Sequence, residues 1–302
     1  MKGFDMSGSH IAVVGIGAIG GSIAADLLDL GRHDVQLCTR TPFKALEVRH
    51  PAGVSRVETT VVTEPSNAHP VDWVLLATKA HQSAGATPWF EQLRGPNTVV
   101  VVLQNGVDHE ERIAPLLPNG MKILPVVVQV PAEKHAAGKI EQMHSGTLIV
   151  PDCKTGHDFA ALFEGARTNI NISDDFTTQA WWKLLNNAAL GGVCALVLRK
   201  NGIAADPEIR SLILELMGEV LAVGRAEGAK LPDDAPEKAL RMVLAAAPGH
   251  WSSITADRRA GRKLEWQARN AVVGARGRKH GIATPLNDVI TTLLRAADDG
   301  LA

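Results

Sequence analysis

In the first half of the chain, apolar positions come in short β-rich runs separated by stretches of helical spacing. His10–Gly15 (HIAVVG) is a compact apolar strand, and Ala18–Leu30 repeats apolar residues at helical spacing before stopping at Gly31. A second strand is predicted at Asp34–Thr39, with others at Val54–Val62, Asp72–Thr78 and Thr98–Gln104 and crossover segments such as His81–Leu93 between them. Strand and helix in alternation predict a mostly parallel, doubly wound α/β sheet. Met121–Val150 reads differently, as strands divided by Gly138 and Gly146, which fits an antiparallel or mixed addition to that sheet. After Asn169–Ser173 helical spacing takes over, at Phe176–Leu198, Pro207–Glu227, Ala235–Ala247, Ser252 to about Lys279, and Pro285–Ala297. Pro207 and Pro285 suit first helical turns, where a missing N–H costs nothing. The change of pattern near Asp174 divides the chain into residues 1–174, with a polar segment 1–9 expected to be flexible, and an all-helical part, residues 175–302.

Composition narrows the function classes. Lys and Arg number 31 against 32 Asp and Glu, a formal charge of −1. That leaves no cationic surplus for phosphates, so no nucleic-acid partner is expected. No apolar run approaches the roughly 20 residues that span a bilayer, so no membrane partner is expected either. The N-terminus lacks the apolar core and cleavage site of a signal peptide, and a cytoplasmic location is the expectation. The three cysteines, Cys38, Cys153 and Cys194, lie far apart without metal-ligand spacing. They read as reduced, mostly buried thiols, with no metal site.

Gly15-Ile16-Gly17-Ala18-Ile19-Gly20 is a G-x-G-x-x-G that ends a predicted strand and opens a predicted helix. Gly15 allows the tight turn, Gly17 lets backbone approach a pyrophosphate, and Gly20 permits close helix–strand packing. The pyrophosphate would rest on the N-terminal amides at Ala18 and Ile19, where the helix dipole favours an anion. The end of the second strand reads Thr39-Arg40-Thr41, with no acidic residue to bond a ribose 2′-hydroxyl. Arg40 suits a 2′-phosphate, which favours NADP(H) over NAD(H), although a solvated charge at a strand end reads the same way. Lys79, on the same carboxyl-end edge of the sheet, faces either cofactor or solvent.

Reduction of a carbonyl also needs a proton donor and groups that fix the substrate. Asn105-Gly106 follows a predicted strand at the rim where open α/β sheets place ligands, and is equally readable as a turn. Lys183 sits in an apolar, tryptophan-rich helix, WWKLLNN, with Asn187 four residues on and on the same face. Partial desolvation would bring its pKa toward neutrality and make it a general acid. A stem snorkelling over the tryptophans to water is the other reading. The run SSITADRRAGRKLE (Ser252–Glu265) reads as a solvated helix face. In one unbroken helix Ser253 and Glu265 would lie about 120° apart. They can line one pocket only across a break, for which Gly261 is the obvious place.

In their order and spacing, VVGIGAIGG, ATKAHQ, LQNGV, WKLLNN, RKNG and SSITADRRAGRKLE resemble the ketopantoate reductase (2-dehydropantoate 2-reductase) family over nearly the whole chain. The resemblance implies a Rossmann-type N-terminal domain and an all-helical C-terminal domain like that of hydroxyacid dehydrogenases, 6-phosphogluconate dehydrogenase among them. It implies that Lys183 is the catalytic lysine that protonates the carbonyl oxygen, and that Glu265 engages the lysine and the substrate's hydroxyl. Asn105, Asn187, Asn201 and Ser253 match residues that grip the substrate. Lys79 and Arg40 match cofactor-side positions beside the glycine loop, with Asn105 between the two groups. One departure stands out: where the family commonly carries a second asparagine one turn beyond Asn187, this chain reads Leu190-Gly191-Gly192. The expectation is therefore NADPH-dependent reduction of a 2-oxo acid, with ketopantoate to pantoate first. The alternatives are another 2-oxo acid on the same scaffold or a non-catalytic NADP(H)-binding sensor. A homodimer through the helical domain is compatible with each.

Overall fold

The computed structural model describes residues 8–246 and 248–300. The chain divides into two compact units, one of Met1–Gln104 with His109–Asp174, the other of Asn105–Asp108 with Asp175–Ala302. Of the segment 1–9 expected to be flexible, residues 1–7 lie outside the described residues, as do Ala247 and residues 301–302.

The first unit runs β1 (His10–Val14), α1 (Ala18–Leu30), β2 (Asp34–Cys38), β3 (Ala45–His50), β4 (Gly53–Glu58), β5 (Val61–Val62), β6 (Val71–Leu76), α2 (Thr87–Leu93), β7 (Arg94–Val102) and α3 (His109–Ile113). It continues with β8 (Lys122–Pro125), β9 (Val127–Gln129), β10 (Ala132–Ala136), β11 (Lys139–Gln142), β12 (Thr147–Pro151), α4 (Lys154–Leu162) and β13 (Asn169–Ser173). The main sheet is wholly parallel, in the order β5-β2-β1-β6-β7-β8. Its strands bury both faces. Ile11, Val13, Leu37, Leu75 and Val101 feed one apolar cluster, while Ala12, Val14, Cys38, Leu76 and Val102 feed the other. This is why β1 reads as an unbroken apolar run rather than an alternation.

Two features depart from the sequence reading. The expected single strand Val54–Val62 is two pieces, β4, which pairs antiparallel with β3, and the two-residue β5 at the edge of the main sheet. Gly53, at φ 141, turns the β3–β4 hairpin. The period-two signal for β3 is present in Ala45–His50, where Leu46 and Val48 are buried and their neighbours less so. Met121–Val150 does not simply extend the sheet. β8 joins it in parallel; β10 and β11 form a second sheet, β10-β11-β3-β4, and β9 and β12 a third, β13-β12-β9. Helix α1 lies against β1 and β2 and also against β3, β4, β10 and β11. A Cβ at Gly21 would stand 2.0 Å from Ile140 Cδ1. Covered on two sides, the helix buries every residue of Gly20–Leu27, all small or apolar except Asp26, which pairs with Arg167.

The second unit is helical: α5 (Phe176–Val197), α6 (Pro207–Ala226), α7 (Ala235–Ala246), α8 (Ser253–Arg259), α9 (Val272–His280) and α10 (Pro285–Asp299). Both Pro207 and Pro285 occupy first turns. α5 runs through the core, and Trp181 packs so closely on α6 that a Cβ at Gly224 would come within 2.9 Å of its ring. None of the described helices is long and apolar enough to cross a membrane.

The single stretch expected from Ser252 to about Lys279 is broken. α8 stops at Arg259, Gly261 takes a left-handed φ of 64, and helical backbone resumes as a π-helix, Gln267–Ala271, that runs into α9. The break is held from outside. Asp298 of α10, itself buried, accepts from Leu264 N (2.7 Å) and Trp266 Nε1 (3.2 Å), and its carbonyl accepts from Lys263 Nζ (2.9 Å). Backbone that leaves a helix inside a protein needs such partners.

Candidate active site

The glycine loop follows from three different constraints. Gly15 has φ 100, and a Cβ there would meet Thr78 N at 2.8 Å; at Gly20 a Cβ would stand 2.1 Å from Gly15 O. At Gly17 a Cβ would meet nothing within 4 Å, so this glycine borders open space. Gly17 is also the N-cap of α1 and brings no side-chain acceptor, which leaves the amides at Ala18, Ile19 and Gly20 uncapped by any side chain. That is the geometry of an anion cradle at a helix N-terminus. Lys134 of β10 donates from Nζ to Ile16 O (3.2 Å) and brings a positive charge to the loop, a residue the sequence reading missed because it lies more than a hundred positions away. Arg40 is exposed just past β2, beside the short turn in which Thr41 N donates to Thr39 Oγ1 (3.4 Å). Lys79 follows β6 and caps the 3₁₀ turn Ala80–Ala86.

Asn105 ends up at the centre of a polar cluster in the second unit. Gln104 before it is buried and pinned, its Nε2 on Thr78 Oγ1 (3.1 Å) and Ser83 Oγ (3.0 Å) and its carbonyl bonded to His109 Nε2 (3.0 Å). Gly106 then turns at φ 115. The Asn105-Gly106 pair thus makes the turn and also brings Asn105 into the polar cluster. The Asn105 Oδ1 accepts from Lys183 Nζ (3.0 Å) and, at longer range, from Asn187 Nδ2 (3.5 Å), while its Nδ2 donates to Glu265 Oε2 (3.1 Å). Two donors on one side and a carboxylate on the other fix which way the amide points. Lys183 and Asn187 reach it from one face of α5, as the four-residue spacing requires.

Glu265 is buried in the broken segment, and Arg269 is buried four residues on. Arg269 Nη2 donates to Ser253 Oγ (2.8 Å) and stands 3.9 Å from Glu265 Oε2. The break at Gly261 is what allows Ser253 and Glu265, on opposite sides of it, to meet the same guanidinium. Sequence reasoning missed Arg269, although a lone arginine in the run QARNAVVG was the available signal. Lys183 does not snorkel to water. Burial pushes its ammonium down to about 7, the Arg269 charge pushes the same way, and Glu265 opposes both. Asn201 is buried at the head of the 3₁₀ turn Asn201–Ala205, its N–H on His250 O (3.0 Å).

An amine near neutrality held against an amide and a carboxylate is suited to giving a proton to a carbonyl oxygen. Comparison with known proteins agrees in kind. Residues 11–154 match the profile described as ketopantoate reductase PanE/ApbA, and residues 175–298 match its C-terminal counterpart. The chain belongs to the ketopantoate reductase family. It is 44% identical to the 2-dehydropantoate 2-reductase of Caulobacter vibrioides over 96% of this chain and 99% of that one. The corresponding figures for the Mycobacterium tuberculosis enzyme of the same name are 40%, 96% and 98%. A solved PanE/ApbA family ketopantoate reductase from Ralstonia eutropha superposes with a TM-score of 0.88 at 28% identity, covering 96% of this chain and 98% of that one. Family membership makes the chain an oxidoreductase acting on CH–OH groups.

Proposed function

We propose that the chain reduces ketopantoate to pantoate with NADPH, the first unit holding the cofactor and the second the substrate. The observation that carries this reading is the Lys183–Asn105–Glu265 cluster, a desolvated amine fixed by an amide that is itself fixed by a carboxylate. The glycine loop fits a dinucleotide, since Gly17 leaves room where a pyrophosphate would approach and the first amides of α1 carry no side-chain cap. The exposed Arg40 just past β2, a counter-charge suited to a 2′-phosphate, supports NADP(H) in this reading, with Lys79 and Asn105 assigned to the cofactor side.

When bound, the reduced nicotinamide supplies a hydride to the carbonyl carbon. Lys183 gives its proton to the oxygen that gains negative charge, and before transfer its cationic charge steadies that oxygen. Asn105 holds the amine in place through Oδ1. Glu265 accepts from the substrate's hydroxyl and keeps the amide of Asn105 from turning over. Asn187, Asn201 and Ser253 orient the acid. Afterwards Lys183 is neutral and regains a proton from water. A homodimer through the helical unit goes with this reading, supported by Val289 and Leu293, exposed one turn apart on α10. The free thiols suit a cytoplasmic enzyme.

The test is loss of NADPH absorbance with ketopantoate, repeated with Lys183→Ala. The wild type turns over, and the variant loses about 10²–10⁴-fold in kcat, the usual worth of a positioned general acid. Wild-type rates in the variant remove Lys183 from its role. Gly191 favours a second reading, another 2-oxo acid, which a substrate panel with NADPH distinguishes. Cofactor binding with no turnover on the whole panel supports the sensor reading instead.

A further inference from the structure

We infer that Arg269, packed against Gly191, binds the carboxylate of the substrate. The inference rests on the reading of the site as a 2-oxo acid reductase and assigns a residue that the sequence reading did not include.

Three observations carry it. The first is a shortage of partners. Arg269 is 1% exposed and its side chain has five N–H donors, yet among the described residues its only side-chain hydrogen bond runs from Nη2 to Ser253 Oγ (2.8 Å). Its Nε is buried with no partner. Glu265 Oε2, at 3.9 Å, is beyond hydrogen-bond length and already accepts from Asn105 Nδ2. Asp257 also attracts the guanidinium, but its Oδ1 is engaged by Arg262 Nε at 3.0 Å. A buried guanidinium this poorly partnered is costly unless an anion completes its shell.

The second is charge. With Lys183 protonated, the cations of Lys183, Arg269 and Arg262 face two carboxylates, Glu265 and Asp257, and a monoanionic acid restores the balance. A planar fork of N–H donors matches a carboxylate in two parallel bonds, which an ammonium cannot offer. Ser253 adds to the same subsite, because its Oγ accepts from Arg269 and still has a proton to donate, and the residue is exposed.

The third is packing. A Cβ on Gly191 would stand 3.5 Å from Arg269 Nη1, in ordinary van der Waals contact, so the guanidinium packs directly against the bare backbone of α5 at this glycine. A charged donor thus lies where Gly191 brings no side chain, and its charge is selective for acids.

The experiment compares kcat/KM for ketopantoate and for its neutral lactone, which keeps the reactive carbonyl and lacks the carboxylate, in wild type, Arg269→Ala and Arg269→Lys. NADPH binding by fluorescence and thermal melting report folding. Arg269→Ala is expected to raise KM for the acid by about 100-fold or more and to collapse the acid-to-lactone preference, with Arg269→Lys recovering part of it. An unchanged KM for the acid, or equal slowing of acid and lactone, overturns the inference and leaves Arg269 a positioning residue. If Arg269→Ala does not fold, Gly191→Asn takes its place. A selective loss for the acid supports the inference, and unaltered kinetics overturn it. Calorimetric titration with oxamate separates this result from the functional reading. If the wild type reduces no 2-oxo acid, that reading fails; oxamate binding lost in Arg269→Ala still supports the anion subsite, and equal binding overturns it.

Discussion

The ammonium of Lys183 lies beside one carboxylate and one guanidinium, and burial tilts the balance toward the neutral amine. Reduction uses the protonated form as acid, so kcat/KM falls as pH rises through the pKa of the free enzyme. We expect a tenfold loss per pH unit above about 7, read from the pH profile with ketopantoate. A bound substrate carboxylate favours the cation, so the corresponding limb of kcat lies at higher pH. Arg269→Ala removes a charge that holds the ammonium down and moves the limb upward. Asn105→Ala frees both Lys183 and Glu265 from their shared amide and is expected to lower kcat/KM by roughly 10²-fold, the cost of misplaced reacting groups. At Arg40 the prediction concerns the cofactor. Arg40→Asp removes the counter-charge to a 2′-phosphate and adds a repulsive one. The ratio of kcat/KM for NADPH over NADH is expected to fall by about 10²-fold; an unchanged ratio places the 2′-phosphate elsewhere.

At the scale of elements, the glycine loop separates stability from binding. Gly20→Ala forces a methyl into the 2.1 Å gap to Gly15 O and is expected to destabilise by about 1–3 kcal/mol, measured by urea denaturation. Gly17→Ala places its methyl in open space and should leave the melting curve of the apo protein unchanged while weakening NADPH binding. Equal effects in the two assays would remove Gly17 from the cradle. The loop was legible because strand, turn glycines and helix are consecutive, so local sterics dictate them. The break between α8 and α9 was only half legible. Gly261 marks where a left-handed residue is tolerated. Whether the helix stops there depends on Asp298, more than thirty residues away, accepting the freed N–H of Leu264. Likewise the β3–β4 hairpin carries its alternation in plain view. Its place in a sheet with β10 and β11 depends on pairing that no local window contains.

On the scale of the whole molecule there are two cores, one split over the faces of a parallel sheet and one wound around α5. A ligand held mainly by the first stabilises chiefly the first. NADPH at about 100 times its Kd is expected to add roughly 2.7 kcal/mol to that unit, visible in calorimetry as an upward shift of one component. A uniform shift of the entire transition would show instead that the chain unfolds as one cooperative body. The parallel sheet, the helical second half and a lysine sharing a helix face with Asn187 were legible in the sequence, because each rests on spacing within one strand, turn or helix. Tertiary structure alone decided the rest. It set Asn105 between Lys183 and Glu265, buried the amine enough to bring it near neutrality, and packed Arg269 against Gly191. Those outcomes depend on desolvation and on contacts between residues as many as 160 positions apart. A periodicity carries no record of which groups will share a site after the chain has closed.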